Sequence, residues 1–538
     1  MKRFRPYLFW LSFIVLIPAC YPLATGSVKW RITFDKKAIK YKKRMMKHSP
    51  DLAAASNDQP NVIVILVDDL GKGEISGYYA DHIETPHIDA MMDRGVRFWE
   101  AYSSAPVCAP SRAGIMTGRH QNRYGFETQL MEFYPSNMIE YLSGKWFVNT
   151  GDFVLDSKPV YPREWQVAKQ GLPPSEISMG ELFKSYGYTT GLVGKWHLGN
   201  FKRLRSEKRG FDYNWGFAGA FTLYTPEQNT AGYVNYVQPS FSSQYQWKMG
   251  RAGEGAIEEN GKKVTEDDYL TFAIRDKSID FMNSAGDEPF MLLTHFNAPH
   301  VPFQAPVDYY CEYGHIEDEN KRVYYSMISA LDDAVGDMMH YLDTSGLIDN
   351  TVVFFLSDNG GAAYTGATDN GPLKGGKMNH FEGGINIPMS VVYEGVIPAG
   401  VDYRQPVSSL DVFVTSAGAA GIPLPDDRVY DGVNLIPYVN EEEERVPHVS
   451  LNWRADHIHV MRKGEFKFIM SERDGWVHLY NLEEDKSEQF DLSEAKPMIL
   501  DKMLKEHQLW EKEMSKPAWP RIMDHIFVFD GVEYLFPA

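Results

Sequence analysis

Four short runs of unbroken apolar residues limit what this 538-residue chain can fold into more than any other feature of it. NVIVILV (61–67) runs into Asp68-Asp69-Leu70-Gly71, and TTGLVG (189–194) into Lys195-Trp196-His197-Leu198-Gly199. PFMLLT (289–294) runs into His295-Phe296-Asn297-Ala298-Pro299-His300, and TVVFFL (351–356) into Ser357-Asp358-Asn359-Gly360-Gly361. Runs without polar alternation mark parallel strands covered on both faces. Helical patterns lie between them, TPHIDAMMDRG (85–95) and KRVYYSMISALDDAVGDMMHYLDTSG (321–346) among them. This order predicts an α/β fold, a large mostly parallel or mixed sheet sandwiched by helices. In such sheets ligands collect beyond the carboxyl ends of the strands. Each polar cluster alone reads as a turn. Four at the same strand ends predict a site.

The clusters carry a consistent chemistry. Asp68, Asp69, Asp358 and Asn359 are hard oxygen ligands from two strands, suited to calcium or magnesium rather than zinc. Arg112, Lys195 and Lys377 supply fixed positive charge, and His197 and His300 can move protons near neutral pH. Beyond residue 50 the chain holds 42 Lys and Arg against 71 Asp and Glu, a net charge of −29. Nucleic acid is a poor partner for such a body. Cations gathered in one pocket of it are built to hold a small dense anion.

VCAPSRAGIMTGR (107–119) poses the sharpest question. Cys108 there can be a thiol nucleophile, a redox group, a metal ligand, a core filler or the precursor of another group. Pro110 fits the first turn of a helix and puts Cys108 near its amino terminus. A thiolate phosphatase would wrap a longer loop between cysteine and arginine, and carboxylate-bound metal is no part of that chemistry.

CAPSRAGIMTGR resembles the C-x-P-S-R…T-G-R signature of the formylglycine-dependent (type I) sulfatases of the alkaline phosphatase superfamily. GKWHLG (194–199), NAPHVP (297–302), SDNGG (357–361) and GGKMNHFEGG (375–384) are similar to that family's other site motifs, in its order. The resemblance covers roughly residues 60–510. It implies that Cys108 is oxidised to Cα-formylglycine by a formylglycine-generating maturation enzyme. One hydroxyl of the aldehyde hydrate would attack sulfur and expel the sugar alcohol; the other would lose its proton to release sulfate. The same resemblance implies one calcium ion held by Asp68, Asp69, Cys108, Asp358 and Asn359. It has Arg112 steady the formylglycine, Lys195 and Lys377 grip sulfate, His197 take the proton and His300 protonate the leaving oxygen. The spacing to Glu382-Gly383-Gly384 favours Lys377 over Lys374. His295 and His380 read as structural.

The resemblance assigns 60–440 to a catalytic domain and 441–538 to a smaller antiparallel subdomain and tail. The long stretches 127–175 and 220–265 read as loops over the site, with Arg123, Glu127, Tyr364, Trp453 and Arg454 as candidate sugar contacts. The implied substrate is a sulfated carbohydrate. The alternatives are a phosphonate or phosphodiester hydrolase of the same superfamily, or a catalytically idle glycan-binding lipoprotein.

Residues 1–26 read as a signal peptide: Lys2, Arg3 and Arg5 precede an apolar block too short to span a bilayer comfortably. Ile17-Pro18-Ala19-Cys20 resembles a lipobox, which predicts a lipid anchor on Cys20 and a bacterial periplasmic or outer-membrane, cell-surface lipoprotein. A plain secretory signal is the alternative. Residues 27–59 are expected to be a flexible basic tether, with nine Lys or Arg against Asp35 in 29–47. Cys311 is expected to be a buried small hydrophobe.

Overall fold

The computed structural model describes residues 28–48, 59–132, 134–148, 152–156, 158–226, 231–238 and 241–538. The expected signal peptide and Cys20 lie outside them. Ten strands form the main sheet: β1 (Asn61–Val67), β2 (Val96–Phe98), β3 (Thr189–Lys195), β4 (Tyr213–Phe217), β5 (Glu258–Glu259), β6 (Lys262–Lys263), β7 (Phe290–His295), β8 (Thr351–Ser357), β9 (Met389–Val392) and β10 (Val401–Tyr403). Their order is β10-β2-β9-β8-β1-β7-β3-β4-β5-β6. The four apolar runs are the adjacent strands β8, β1, β7 and β3, all parallel; antiparallel pairs toward both edges make the sheet mixed.

Why β1 lacks polar alternation is visible in its packing. Ile63, Ile65 and Val67 enter one core, and Val62, Val64 and Leu66 enter the other, on the opposite face. Successive side chains point to opposite faces, so a strand buried on both has no place for a polar residue. Each such side chain contributes about 1.5–3 kcal/mol of burial. The helices Leu270–Ala285 and Glu319–Ser345 cover the first face. The helices Cys108–Thr117, Met179–Ser185 and Asp411–Ala419 cover the second.

Register then aligns the strand ends. Val67 pairs with Ser357, Leu66 with His295, and His295 with Gly194. Asp68-Asp69, Asp358-Asn359, Lys195 and the 296–300 loop therefore leave the sheet at one edge.

A four-stranded antiparallel sheet follows (Leu451–Ala455, Ile458–Lys463, Phe466–Ser471, Trp476–Asn481). Trp453, Ile458, Val460 and Ile469 pack it on Tyr102, Phe381 and Ile385. Buried Lys467 reinforces the seam by pairing with Glu382 at 2.8 Å and Glu488 at 2.9 Å. The tail forms strands of its own. Met523–Phe529 and Val532–Pro537 form a hairpin whose first strand pairs with Phe153–Leu155. The expected loops also contain regular elements, including the helices Met138–Phe147 and Phe241–Met249.

Two expectations need correction. Cys311, on the short helix Val307–Glu312, is exposed. The basic stretch is not a free tether over its described part: Lys36–His48 is a helix. Its Ile39 is buried, and its Lys42 is 3 % exposed. Lys42 Nζ donates to the Glu176 carbonyl (2.9 Å) and to Glu181 (2.6 Å). A buried carbonyl stripped of its donor costs about 1–3 kcal/mol. Lys42→Ala is therefore expected to undock this helix, seen as faster trypsin cleavage within 36–47; unchanged cleavage would refute the anchoring role. Among the described residues, no helix is long and apolar enough to cross a membrane.

Candidate active site

The helix Cys108–Thr117 begins at the strand edge, with Val107 extended as its cap and every helical residue buried. It lies so close to its neighbours that a Cβ at Gly114 would sit 2.4 Å from Ser104 Oγ. Cys108 and Arg112 are one turn apart and share a face. Cys108 Sγ lies 3.7 Å from Asp69 Oδ1. Arg112 Nε donates to Asp358 Oδ2 at 2.8 Å, and its Nη2 lies 3.5 Å from Asp68 Oδ1.

Two lysines close the cluster. Lys195 Nζ, at the end of β3, is 2.6 Å from Asp68 Oδ2, and Lys377 Nζ is 2.8 Å from Asp69 Oδ2. Asn359 Nδ2 donates to Asp69 Oδ1 at 2.8 Å. His300 Nε2 stands 3.6 Å from Asp69 Oδ2. Asp69 and His197 adopt φ of 65° and 52°. A left-handed backbone is costly for residues other than glycine, and it concentrates at functional turns.

The donor set fits a hard dication. Asp68, Asp69, Cys108 and His300 each offer an atom within 4.8 Å of the others. Asp68 Oδ1 and Asn359 Oδ1 are buried without a hydrogen-bond partner. Unpartnered oxygens are expensive when buried, and a cation is the partner that would satisfy both.

A model of the family described as Sulfatase matches residues 60–422. The chain belongs to the sulfatase family. It is 32% identical over 391 residues to N-acetylgalactosamine-6-sulfatase of Rattus norvegicus, covering 72% of this chain and 67% of that protein. It is 28% identical to human arylsulfatase D over 75% of this chain and 72% of that one. Among solved structures, Ps i-CgsB in complex with k-i-k-neocarrahexaose superposes with a TM-score of 0.71. That match is 30% identical and covers 86% of this chain and 94% of the other. The sulfatase thus has the alkaline-phosphatase-like fold expected of it.

The electrostatics explain what each group in this sulfatase can do. Burial pushes the Cys108 thiol up, even though Lys195 and Lys377 pull it down. A neutral thiol is a poor nucleophile, which counts against the thiolate reading. Burial would raise Asp68, but Lys195, His300, Arg112 and Lys377 outweigh it and hold the carboxyl well below its usual range. Burial, with Asp68 beside it, pushes Asp358 up to about 7. Burial, then Lys195 and Arg112, hold His197 well below its ordinary value, so its imidazole is neutral, with a ring nitrogen open to a proton. Burial and Lys377 pull His300 down to about 4. Its Nδ1 lies 2.5 Å from the Val301 carbonyl oxygen, so Nδ1–H donates there and Nε2 faces the site.

The structure brings together every residue of the expected catalytic and metal set: Asp68, Asp69, Cys108, Arg112, Lys195, His197, His300, Asp358, Asn359 and Lys377. Lys374 does not join them; it donates to the Glu488 carbonyl at 3.1 Å and lies over the Phe381 ring. His295 Nδ1 is 2.9 Å from the Lys195 carbonyl oxygen, and His380 stacks on Phe536. Of the candidate sugar contacts only Tyr364 lines the cavity over the site, about 260 Å³ in volume. Arg123 pairs with Asp431 at 2.7 Å, and Arg454 with Glu127 at 2.7 Å. Trp453 is core, its Nε1 donating to the Ser103 carbonyl at 2.8 Å.

The stretch 127–175, expected over the site, supplies walls of that cavity: Glu132, 3.8 Å from His197 Nε2, and Phe153 and Leu155 line it. Sequence reasoning missed the tail residues Arg521, Ile522 and Met523, which line it too. No motif marks them. The pairing of the tail with Phe153–Leu155 puts them there.

Proposed function

We propose that this sulfatase removes sulfate from a sulfated polysaccharide or oligosaccharide, using Cys108 matured to Cα-formylglycine and one calcium ion. The observation that carries the reading is the buried cluster at the strand ends, with two oxygens lacking hydrogen-bond partners beneath an open cavity. Relatives named for a 6-sulfated amino sugar, and one solved with k-i-k-neocarrahexaose, support the carbohydrate class.

Formylglycine at 108 supplies, as its hydrate, one hydroxyl to attack sulfur and a second whose deprotonation expels sulfate. Asp68, Asp69, Asp358 and Asn359 would hold the calcium ion, which would supply Lewis acidity there. The protein's own charges set the balance. Asp68, Asp69 and Asp358 are matched by Arg112, Lys195 and Lys377, so a dication leaves the pocket positive for an anionic ester. Lys195 and Lys377 hold sulfate oxygens, and Arg112 fixes Asp358 and the start of its own helix. His197, neutral, accepts the proton that ends the cycle. His300 presents Nε2 to the leaving oxygen, and the ester's negative charge favours its protonated form.

Export brings the enzyme to such a substrate. The charged and apolar blocks of residues 1–26, with a lipid on Cys20, would set it on a bacterial outer surface or in the periplasm. Sulfate release from a panel of sulfated glycans, with aryl phosphonates and phosphodiesters as controls, tests the function. Turnover of the phosphorus esters alone refutes it.

The His300 role has its own test. A sugar alkoxide leaves poorly, and a general acid is worth roughly 10² to 10⁴ in rate. Nitrophenolate needs no proton. His300→Ala is expected to lose that factor on a sugar sulfate and far less on nitrophenyl sulfate; equal losses would leave His300 a packing or binding residue.

A further inference from the structure

A second cluster of ligand-type side chains lies outside the active site, where the carboxyl-terminal sheet meets the helix Pro497–Glu511. His459 comes from the strand Ile458–Lys463, and His507 and Glu511 from the helix. Residues four apart share a helix face, so His507 and Glu511 both turn toward the strand. Each of the three offers a ring nitrogen or carboxylate oxygen within 4.8 Å of the other two. His507 is 2 % exposed and His459 is 9 % exposed.

The hydrogen bonds around them leave a nitrogen to spare on His507 and turn one nitrogen of His459 to Glu511. His507 Nδ1 is 3.0 Å from Asn452 Oδ1. An amide oxygen only accepts, so Nδ1 carries the proton and Nε2 keeps a bare lone pair. That Nε2 is buried with no hydrogen-bond partner. His459 Nδ1 is 3.0 Å from Glu511 Oε1, and its Nε2, on the other side of the ring, faces Glu472 Oε2 at 3.7 Å.

We propose that His459, His507 and Glu511 bind one transition-metal dication, zinc by preference, clamping the sheet to the helix. Two imidazoles and a carboxylate are a zinc donor set, whereas calcium takes oxygens alone. Three donors within that spacing share a centre at most about 2.8 Å from each, so shifts under about 1 Å reach zinc bond lengths. Asn452 on His507 and Glu472 beside His459 are the outer partners that fix ring orientation around a metal. The clamp also sits where packing is thin. Met461, Phe468, Leu479, Leu500 and Met503 are the buried apolar residues of the core between sheet and helix.

The test uses the full-length exported enzyme, tag removed, stripped with a chelator and resupplied with excess calcium. Zn²⁺ alone is then titrated by calorimetry and thermal melting. One zinc per chain is expected, with a melting point raised by a few degrees. His507→Gln keeps a donor for Asn452 and removes the free nitrogen, and Glu511→Gln removes the charge. Each is expected to weaken zinc roughly tenfold or more, abolish the zinc-dependent shift and keep calcium-supported sulfate release. Should a variant fail to fold, Co²⁺ in the native chain reads the same site through tetrahedral absorption bands that zinc displaces. Absence of zinc binding by the calcium-loaded enzyme, equal affinity in folded variants, or octahedral cobalt bands would overturn the proposal.

Discussion

Cys108→Ala is expected to lose on the order of 10⁶ in kcat, the scale on which removal of a covalent nucleophile acts. The fold should not suffer. Cys108 is 1 % exposed. Its thiol makes one weak hydrogen bond, to Asp69 Oδ1 at 3.7 Å, and alanine differs from it by one heavy atom. Cys108→Ser separates the two halves of the chemistry. A serine hydroxyl can attack sulfur under the same lysines, but it has no second hydroxyl on its carbon to expel sulfate. It is expected to give one equivalent of alcohol and a stable sulfated serine, visible as an adduct in peptide mass spectrometry. The native enzyme should show the aldehyde at 108. Full activity with an intact thiol would sink the assignment.

Much of this site was legible in the sequence because it sits where the strands end. A strand buried on both faces writes itself as an unbroken apolar run, as Val62 to Val67 do. Its first polar residue then marks the sheet edge, and parallel order puts four such edges together. The lysine choice was legible through the resemblance. Its motif favours Lys377, not Lys374, by the spacing to Glu382-Gly383-Gly384, and it is Lys377 that reaches Asp69.

What stayed hidden depends on partners far along the chain. Nine cations in 29–47 mask the apolar spacing of the helix Lys36–His48, and Lys42 is bearable in a buried place only because Glu181 faces it. Arg521 and Met523 reach the cavity through a strand pairing with Phe153–Leu155, hundreds of residues away and unmarked by any turn signal. Arg123 and Arg454 stay out of the cavity for a related cause: a surface-type residue is read as free until its carboxylate, Asp431 or Glu127, is placed beside it.

Asp358→Asn is expected to remove calcium and, with it, on the order of 10³ or more in rate, since Lewis-acid stabilisation is worth several kcal/mol. Asparagine is the informative replacement. Its oxygen can still accept from Arg112 Nε, which donates to Asp358 at 2.8 Å, so no guanidinium is stranded in the interior. Alanine would leave Arg112 Nε without an acceptor and its charge with Asp68 alone, and breaking a buried ion pair costs up to about 3–5 kcal/mol whether or not a metal binds there. The loss should also appear without turnover. A ligand at a hundred times its dissociation constant stabilises the folded state by about 2.7 kcal/mol, so stripped native enzyme should melt lower and recover with calcium. Asp358→Asn should melt alike with and without it. Metal analysis separates the two sites: Asp358→Asn should lose calcium and keep zinc, and His507→Gln should do the reverse. Native enzyme that keeps its activity after chelation, or an Asp358→Asn variant that still holds one calcium per chain, would refute the ligand assignment.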